Sequence, residues 1–472
     1  MKWKQYGIGF LVLMAVCLSG FGQTAYAAED SQDVIVDGVT IGGLDVSGMT
    51  EEEARQTVEE YFDRFRNGTL RLSFNGTIGE IGFDELGISW DNPEVVAEAA
   101  KCGQNGNVLE RYKILTQLKT EKKEYPIEYS VDRSKVENYL LEKAEELKVE
   151  PVDATITKEK GKPNFEITQS VTGLTINVSE TLNHVMDSVD HEWEGGVLSL
   201  DADVEITEPK YKTEELELIT DCLGEHQTNF NPSVAGRSQN LVNGTHFIDG
   251  VVLMPGETLS LYDYLYPCTE ENGYKSGIAY ADGGYVDAIG GGICQISTTL
   301  YNALLKSELN VLTRSPHSMT VSYAEPGFDS AESAGSKDLS FENSTDYPVY
   351  VEAWVQKDRV YTGLWGKDDR PDNRVVKYYN NILSRVGPGE PIYTEDPNLP
   401  EGEIHYDQPA YDAVKAELYK QVIIDGQVVE TTLLHTDRYR ASPAKIRVGT
   451  GAPVEEVPVE EAPVEGQENP EG

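Results

Sequence analysis

Positive charge is what this sequence has least of for its size. Lys and Arg total 39 against 81 Asp and Glu, a net charge of −42. So acidic a surface repels nucleic-acid phosphates and anionic lipid headgroups, which excludes nucleic acid as a partner. Cysteine is scarce too: five in 472 residues, with Cys102, Cys222, Cys268 and Cys294 lying beyond the N-terminal apolar stretch. An even count allows two disulfides, but such thin use is no disulfide framework. Cys294, His317, His246 and His226 could converge, yet no C-x-x-C or H-x-x-x-H spacing occurs, so no metal is expected. The run Gly290, Gly291, Gly292 is no phosphate loop, since no Lys-Ser/Thr follows it, and no cofactor is expected.

Past the first residues no apolar run is long enough to cross a membrane. The N-terminus itself has Lys2 and Lys4, an apolar core over 8–18 and the small-x-small site Ala25-Tyr26-Ala27. This predicts a signal peptide over 1–27 and a protein secreted or cell-wall associated, touching the membrane only through an uncleaved signal anchor. The remainder is too long for one hydrophobic core, so several domains are expected.

In order, residues 33–122 read as a small α+β module. Thr50 and Glu53 form a capping box, and Ala54, Val58, Tyr61, Phe62 and Phe65 make one helical face. Residues 123–213 read as a second α+β module, with Asp132 capping a helix of inner face Val136, Tyr139 and Leu140. The strand–cap–helix–strand order suggests a weak internal repeat. Residues 216–367 read as a mixed α+β domain ending in a hairpin. Residues 370–450 read as a small β-rich module with a turn at Asp425-Gly426, and 451–472 as a disordered acidic Pro/Glu tail. The fold class is therefore α+β, multidomain.

The stretch Gly290-Gly291-Gly292-Ile293-Cys294-Gln295 carries the chemistry. Ile296, Leu300, Ala303 and Leu304 mark one face of a helix, whose first turn holds Cys294. A helix N-terminus favours thiolate. His317, after Pro316, is the nearest downstream histidine and a candidate base; Asp338 or Asp329 would orient it. Against this stand two other readings: a packed or disulfide-bonded cysteine, and a binding pocket that Cys294 merely lines.

Several phrases carry a family resemblance: the turn Pro255-Gly256-Glu257, Glu271-Asn272-Gly273-Tyr274, the glycine–cysteine stretch continuing through Ser297, Thr298, Thr299, Leu300, Tyr301, Asn302 and Ala303, then Pro316-His317-Ser318 and Asn343-Ser344-Thr345-Asp346-Tyr347-Pro348. In this order they resemble the VanW domain family, named after a gene of vancomycin-resistance clusters. Residues 38–210 resemble the peptidoglycan-binding domain of YoaR-like exported proteins. Residues Tyr439 onward resemble the tail of a small β module, named for five glycines, associated with wall-sugar binding. Cys268 stands where the VanW family usually has Arg, which raises a Cys268–Cys294 disulfide. Gly327-Phe328-Asp329 replaces a more usual Gly-Arg-Asp, which removes a basic contact.

The resemblance implies peptidoglycan as partner and a VanW domain presented to it. The leading expectation is a wall-binding accessory protein with a link to glycopeptide-antibiotic response. The alternatives are a cysteine hydrolase or acyl transferase acting on peptide stems, and an adhesin-like surface protein. As catalytic candidates the residues offer Cys294, His317 and Asp338. As binding candidates they offer Gly290, Gly291, Gly292, Gln295, Ser297, Thr298, Tyr301, Asn302, Asn272, Tyr274 and Asp329.

Overall fold

The computed structural model describes residues 33–281 and 284–451. The expected signal peptide and the acidic tail beyond residue 451 lie outside them. The described chain forms two compact units. One runs to Val149 and includes Leu174–Ile206; the other comprises Glu150–Gly173 and the chain from Thr207 onward.

In the first unit, local caps start the helices. Thr50 and Glu53 close a capping box on Glu51–Arg66, the Asp132 carboxylate accepts from Ser134 N–H at the start of Arg133–Leu147, and Asn177 caps Val178–His191. Strand Val197–Asp201 pairs in parallel with Thr69–Phe74, which pairs antiparallel with Thr77–Gly82. Phe62, Leu70, Val136, Leu140, Val185 and Trp193 share one core, so the two expected modules pack together.

The second unit is organised around a four-stranded antiparallel sheet in the order Asp221–Asn229, Arg359–Gly366, Val349–Gln356, Val252–Leu253. Helices Ala235–Ile248 and Ile293–Ser307 pack with it through Leu241, Ile248, Ile296, Leu300, Val351 and Leu364. The predicted single apolar face of the second helix understates its burial. Gln295, Ser297, Thr298 and Thr299 are fully buried as well, so the helix is enclosed and its polar residues must find partners inside the protein. Three further three-stranded sheets lie in this unit among the described residues, the longest being Arg374–Val386, Ala413–Ile424 and Gln427–Tyr439. The last two meet at the predicted turn, where Asp425 and Gly426 both take positive φ (51° and 76°).

The segment 150–173 is held to the four-stranded sheet by a buried ion pair. Lys158 Nζ lies 3.0 Å from both oxygens of Glu352, with the two side chains only 1% and 2% exposed, and Trp365 Nε1 donates to the same carboxylate at 2.8 Å. Glu352→Ala leaves an ammonium buried without its counter-charge, a loss of about 3–5 kcal/mol. Chemical denaturation should show this, and the double replacement Lys158→Met with Glu352→Leu should recover most of it. A loss under about 1 kcal/mol would contradict this account.

No helix among the described residues is long and apolar enough to cross a membrane.

Candidate functional site

Cys294 is the second residue of the helix Ile293–Ser307, entered through Gly292 in the left-handed region (φ +116°). The glycines are required by crowding. A Cβ on Gly291 would stand 2.3 Å from the Gly277 carbonyl oxygen, and one on Gly290 (φ +83°) would stand 2.8 Å from Cys268 Sγ. The buried Asn240 ties this loop down, donating to the carbonyls of Gly291 and Lys275 (2.9 Å each) and accepting from Lys275 N–H (2.7 Å).

The sulfur is held in register by the backbone of Glu332: the thiol donates to its carbonyl at 3.3 Å and accepts from its N–H at 3.4 Å. His317 interacts with the same thiol and lowers its pKa. Behind it, His317 Nδ1 lies 2.7 Å from Asp329 Oδ2, which also accepts the His317 backbone N–H at 2.8 Å. The Tyr323 hydroxyl is 3.3 Å from Nε2. Asp329 is in turn fixed by Arg314 Nη2 at 3.1 Å and by the Tyr439 hydroxyl. Arg314 also reaches Asp437 at 2.6 Å. Sulfur, imidazole and carboxylate therefore stand in the order of a Cys–His–Asp relay.

Electrostatics follow this geometry. Burial pushes the Cys294 thiol up, but the hydrogen bond and charge of His317 outweigh it and hold the thiol below its ordinary range. Burial disfavours a charged His317, yet Asp329 and Cys294 raise it above the usual imidazole value. Asp329 is pushed up by burial and brought down further by His317 and Arg314. Both directions favour charge separation, thiolate with imidazolium, over the neutral pair. Burial lifts the Glu332 carboxyl to about 8, so it is neutral at pH 7. Its Oε1 accepts from Ser297 Oγ at 2.8 Å and Leu339 N–H at 2.9 Å.

These directions predict an inverted order of thiol reactivity. Exposed Cys222 and half-buried Cys268 are both raised to about 11, chiefly by burial of the thiol group. At pH 7 iodoacetamide should label Cys294 first, read by peptide mass spectrometry. Its labelling should fall as pH drops through its lowered pKa, because the thiolate exists only above that value. Preferential labelling of Cys222 would overturn the ion-pair assignment.

Of the catalytic candidates the structure joins Cys294 to His317 and leaves Asp338 aside. Asp338 accepts from Ser260 Oγ at 2.8 Å and from Tyr262 N–H at 3.0 Å, so Asp329 takes the orienting place. The disulfide raised by Cys268 is not formed: all four described cysteines are free thiols. Of the binding candidates, Gly290, Gly291 and Gly292 line a cavity of about 220 Å³ with Cys294, Cys268 and Glu332. The others use their side chains internally. Gln295 donates to Thr228 and Asn229 and accepts from Arg237. Ser297 and Thr298 bond Ser330, Asn302 bonds the carbonyls of Thr298 and Phe328, and Tyr301 meets His435 at 2.9 Å. Tyr274 bonds the Leu265 carbonyl from full burial, and Asn272 bonds that of Pro267. Sequence reasoning did not single out Glu332, Tyr323, Arg314 or Tyr439. Arg237 and Asn240, both turned to the glycine loop, carried a signal in their i, i+3 spacing.

Comparison with known proteins gives three family matches. Residues 236–365 match VanW, described as "VanW like protein"; residues 79–194 match a family described as "Putative peptidoglycan binding domain"; and residues 385–451 match the G5 domain. The chain is 37% identical to "Uncharacterized protein YoaR" of Bacillus subtilis (strain 168) over 146 residues, 31% of this chain and 48% of that protein, so it spans about half of that relative's length. It is 26% identical to "Vancomycin B-type resistance protein VanW" of Enterococcus faecalis (strain ATCC 700802 / V583) over 227 residues, 46% of this chain and 75% of that one. Among solved structures, the IgA1 protease G5 domain aligns at 21% identity and a TM-score of 0.12, covering 17% of this chain and 95% of that one. The HP0197 G5 structure aligns at 24% and 0.10, covering 16% and 97%. The chain thus carries a VanW segment, with a match to a putative peptidoglycan-binding domain ahead of it and a G5 match behind it.

Proposed function

We propose that this protein is an exported, cell-wall-associated cysteine enzyme that performs acyl transfer on the peptide stems of peptidoglycan. The observation that carries this reading is the Cys294–His317–Asp329 relay beside a cavity. A thiol that served only as packing would need neither a buried histidine nor a buried carboxylate behind it, and burying both is costly unless they are used or fully paired. The peptidoglycan-binding and G5 matches support delivery of the site to wall polymer. Wall binding, the leading expectation from sequence, is thus kept as the delivery function.

In this reaction the Cys294 thiolate attacks a stem-peptide carbonyl, the C–N bond breaks, and the His317 imidazolium gives its proton to the departing amine. The acyl group is left on sulfur as a thioester. An incoming amine or water, losing a proton to His317, then breaks the C–S bond and restores the thiolate. The Ile293 and Gln295 N–H groups are bonded to the Gly290 and Gly292 carbonyls, so in the first turn it is the Cys294 N–H that would stabilise the tetrahedral oxyanion.

The test is incubation of the full protein with purified wall digest and with synthetic stem peptides, followed by mass spectrometry of products and intact protein. An acyl adduct mapped to Cys294, together with new muropeptides, is expected. Wall binding with neither adduct nor product would overturn the enzyme reading and leave an accessory binder.

A further inference from the structure

A second cavity, of about 390 Å³, adjoins the first and is lined by Ser318, Lys337, Arg438 and Arg440 together with His317 itself. No residue lines both, but two links connect them. His317 borders this cavity and acts on the Cys294 thiol, and the bridge between Ser333 and Lys337 puts Ser333 on the Cys294 side and Lys337 on this one.

Its charge is out of keeping with the chain. In a protein with twice as many acids as bases, three cations line one pocket and no carboxylate does. Elsewhere in this unit arginines are paired: Arg374 with Glu308, Arg447 with Asp396 and Asp407, Arg314 with Asp329 and Asp437. The Lys337 ammonium donates to the Pro316 carbonyl at 2.7 Å, and among the described residues the Arg438 and Arg440 guanidinium groups have no ion-pair or hydrogen-bond partner. The sheet also sets Arg438 directly across from Lys415. Like charges opposite one another are destabilising, so fold stability does not account for this arrangement.

The arginines are nevertheless held in place. Arg440 N–H donates to the Ser318 carbonyl at 2.7 Å, and between them Tyr439 anchors on Asp329 and accepts from Gly327 N–H at 2.8 Å. The strand that braces the relay's carboxylate also carries Arg438, and Arg440 lies one residue past its end.

We propose that this cavity is an oxyanion subsite that takes the terminal carboxylate of the peptide whose carbonyl reacts at Cys294. The proposal rests on the acyl-transfer reading and sharpens it: a carboxylate seated on the far side of His317 places the scissile bond near the end of the stem, so that the leaving group is a terminal residue. Guanidinium pairs suit a carboxylate because their N–H groups match it two at a time.

The experiment is calorimetric titration of full-length Cys294→Ala protein, which cannot turn over its ligand, with a synthetic stem tetrapeptide as free acid and as C-terminal amide. A third titrant, sn-glycerol 3-phosphate, represents anionic wall polymer. The acid should bind about tenfold to a hundredfold tighter than the amide, the range of one or two charge-assisted bonds. In the Cys294→Ala background, adding Arg438→Gln with Arg440→Gln should bring the acid to the level of the amide and leave the amide unchanged. Equal binding of acid and amide, no binding of either, or equal loss of both in the arginine variant would overturn the subsite. Preference for the phosphate would overturn its assignment to peptide. Acid preference without any Cys294 adduct in the wild type would uphold the subsite and defeat the enzyme reading. An adduct with no acid preference would do the reverse.

Discussion

Cys294→Ala is expected to lower turnover of a stem-peptide substrate by about 10⁴-fold or more, the scale seen when a covalent nucleophile is removed, while pull-down by purified wall stays intact. The fold should survive the change. The sulfur makes two weak bonds to the Glu332 backbone and lies only half-buried in the first turn, so truncation removes little packing. What disappears is the one atom that can become a thioester. Cys294→Ser is the sharper companion. It keeps the size, but a hydroxyl lies too far above the imidazolium in pKa to surrender its proton at rest, so the serine variant should also form no stable adduct. Product at more than about a tenth of the wild-type rate in Cys294→Ala would place the nucleophile elsewhere. Simultaneous loss of wall binding would mean that the site and the binding surface are one.

How much of this was legible in the sequence depends on the distance over which each feature is decided. The capping box at Thr50 and Glu53 and the cap at Asp132 were readable because a cap is settled within three residues. The placement of Cys294 on a helix start was readable for the same reason. The choice of acid was not. Asp329 and Asp338 both follow His317 at plausible spacing, and only the path of the loop, which returns Asp329 Oδ2 to the His317 backbone N–H, separates them. Tyr439 and Arg314, which complete the carboxylate's shell, lie 110 and 15 residues from Asp329 in sequence, beyond any local pattern. The polar residues of the Cys294 helix misled in a different way. Gln295, Ser297 and Thr298 look like an exposed face in a periodicity count, but all three are fully buried, and polar groups there are spent on internal bonds. The unpaired arginines show the converse: an exposed residue at a strand's end carries no sequence signal until the fold brings His317 and Lys337 beside it.

Asp329→Asn should reduce kcat by about 10³–10⁴-fold, the size of effect that follows when the acid behind a catalytic histidine becomes an amide. The carboxylate accepts on both oxygens: Oδ2 from His317 Nδ1–H and the His317 backbone N–H, Oδ1 from Arg314 and Tyr439. An asparagine has only one acceptor. If its oxygen stays toward His317, its NH₂ faces two donors. If it flips, the NH₂ donates to Nδ1, fixes the proton on Nε2, and removes the acceptor that Cys294 needs. In either case the imidazolium loses its counter-charge. His317 then falls toward its usual value and the Cys294 thiol rises with it, so the iodoacetamide pH profile should shift to higher pH. A purely structural role would lower the melting temperature without moving that profile. Some destabilisation is expected too, because Arg314 is left with Asp437 alone. Two controls separate the effects. Tyr439→Phe removes one donor but no charge and should cost about tenfold or less. Asp338→Asn, whose carboxylate serves Ser260 and the Tyr262 N–H, should leave the profile where it is. A profile that moves in Asp338→Asn and not in Asp329→Asn would reassign the acid and dissolve the relay as drawn.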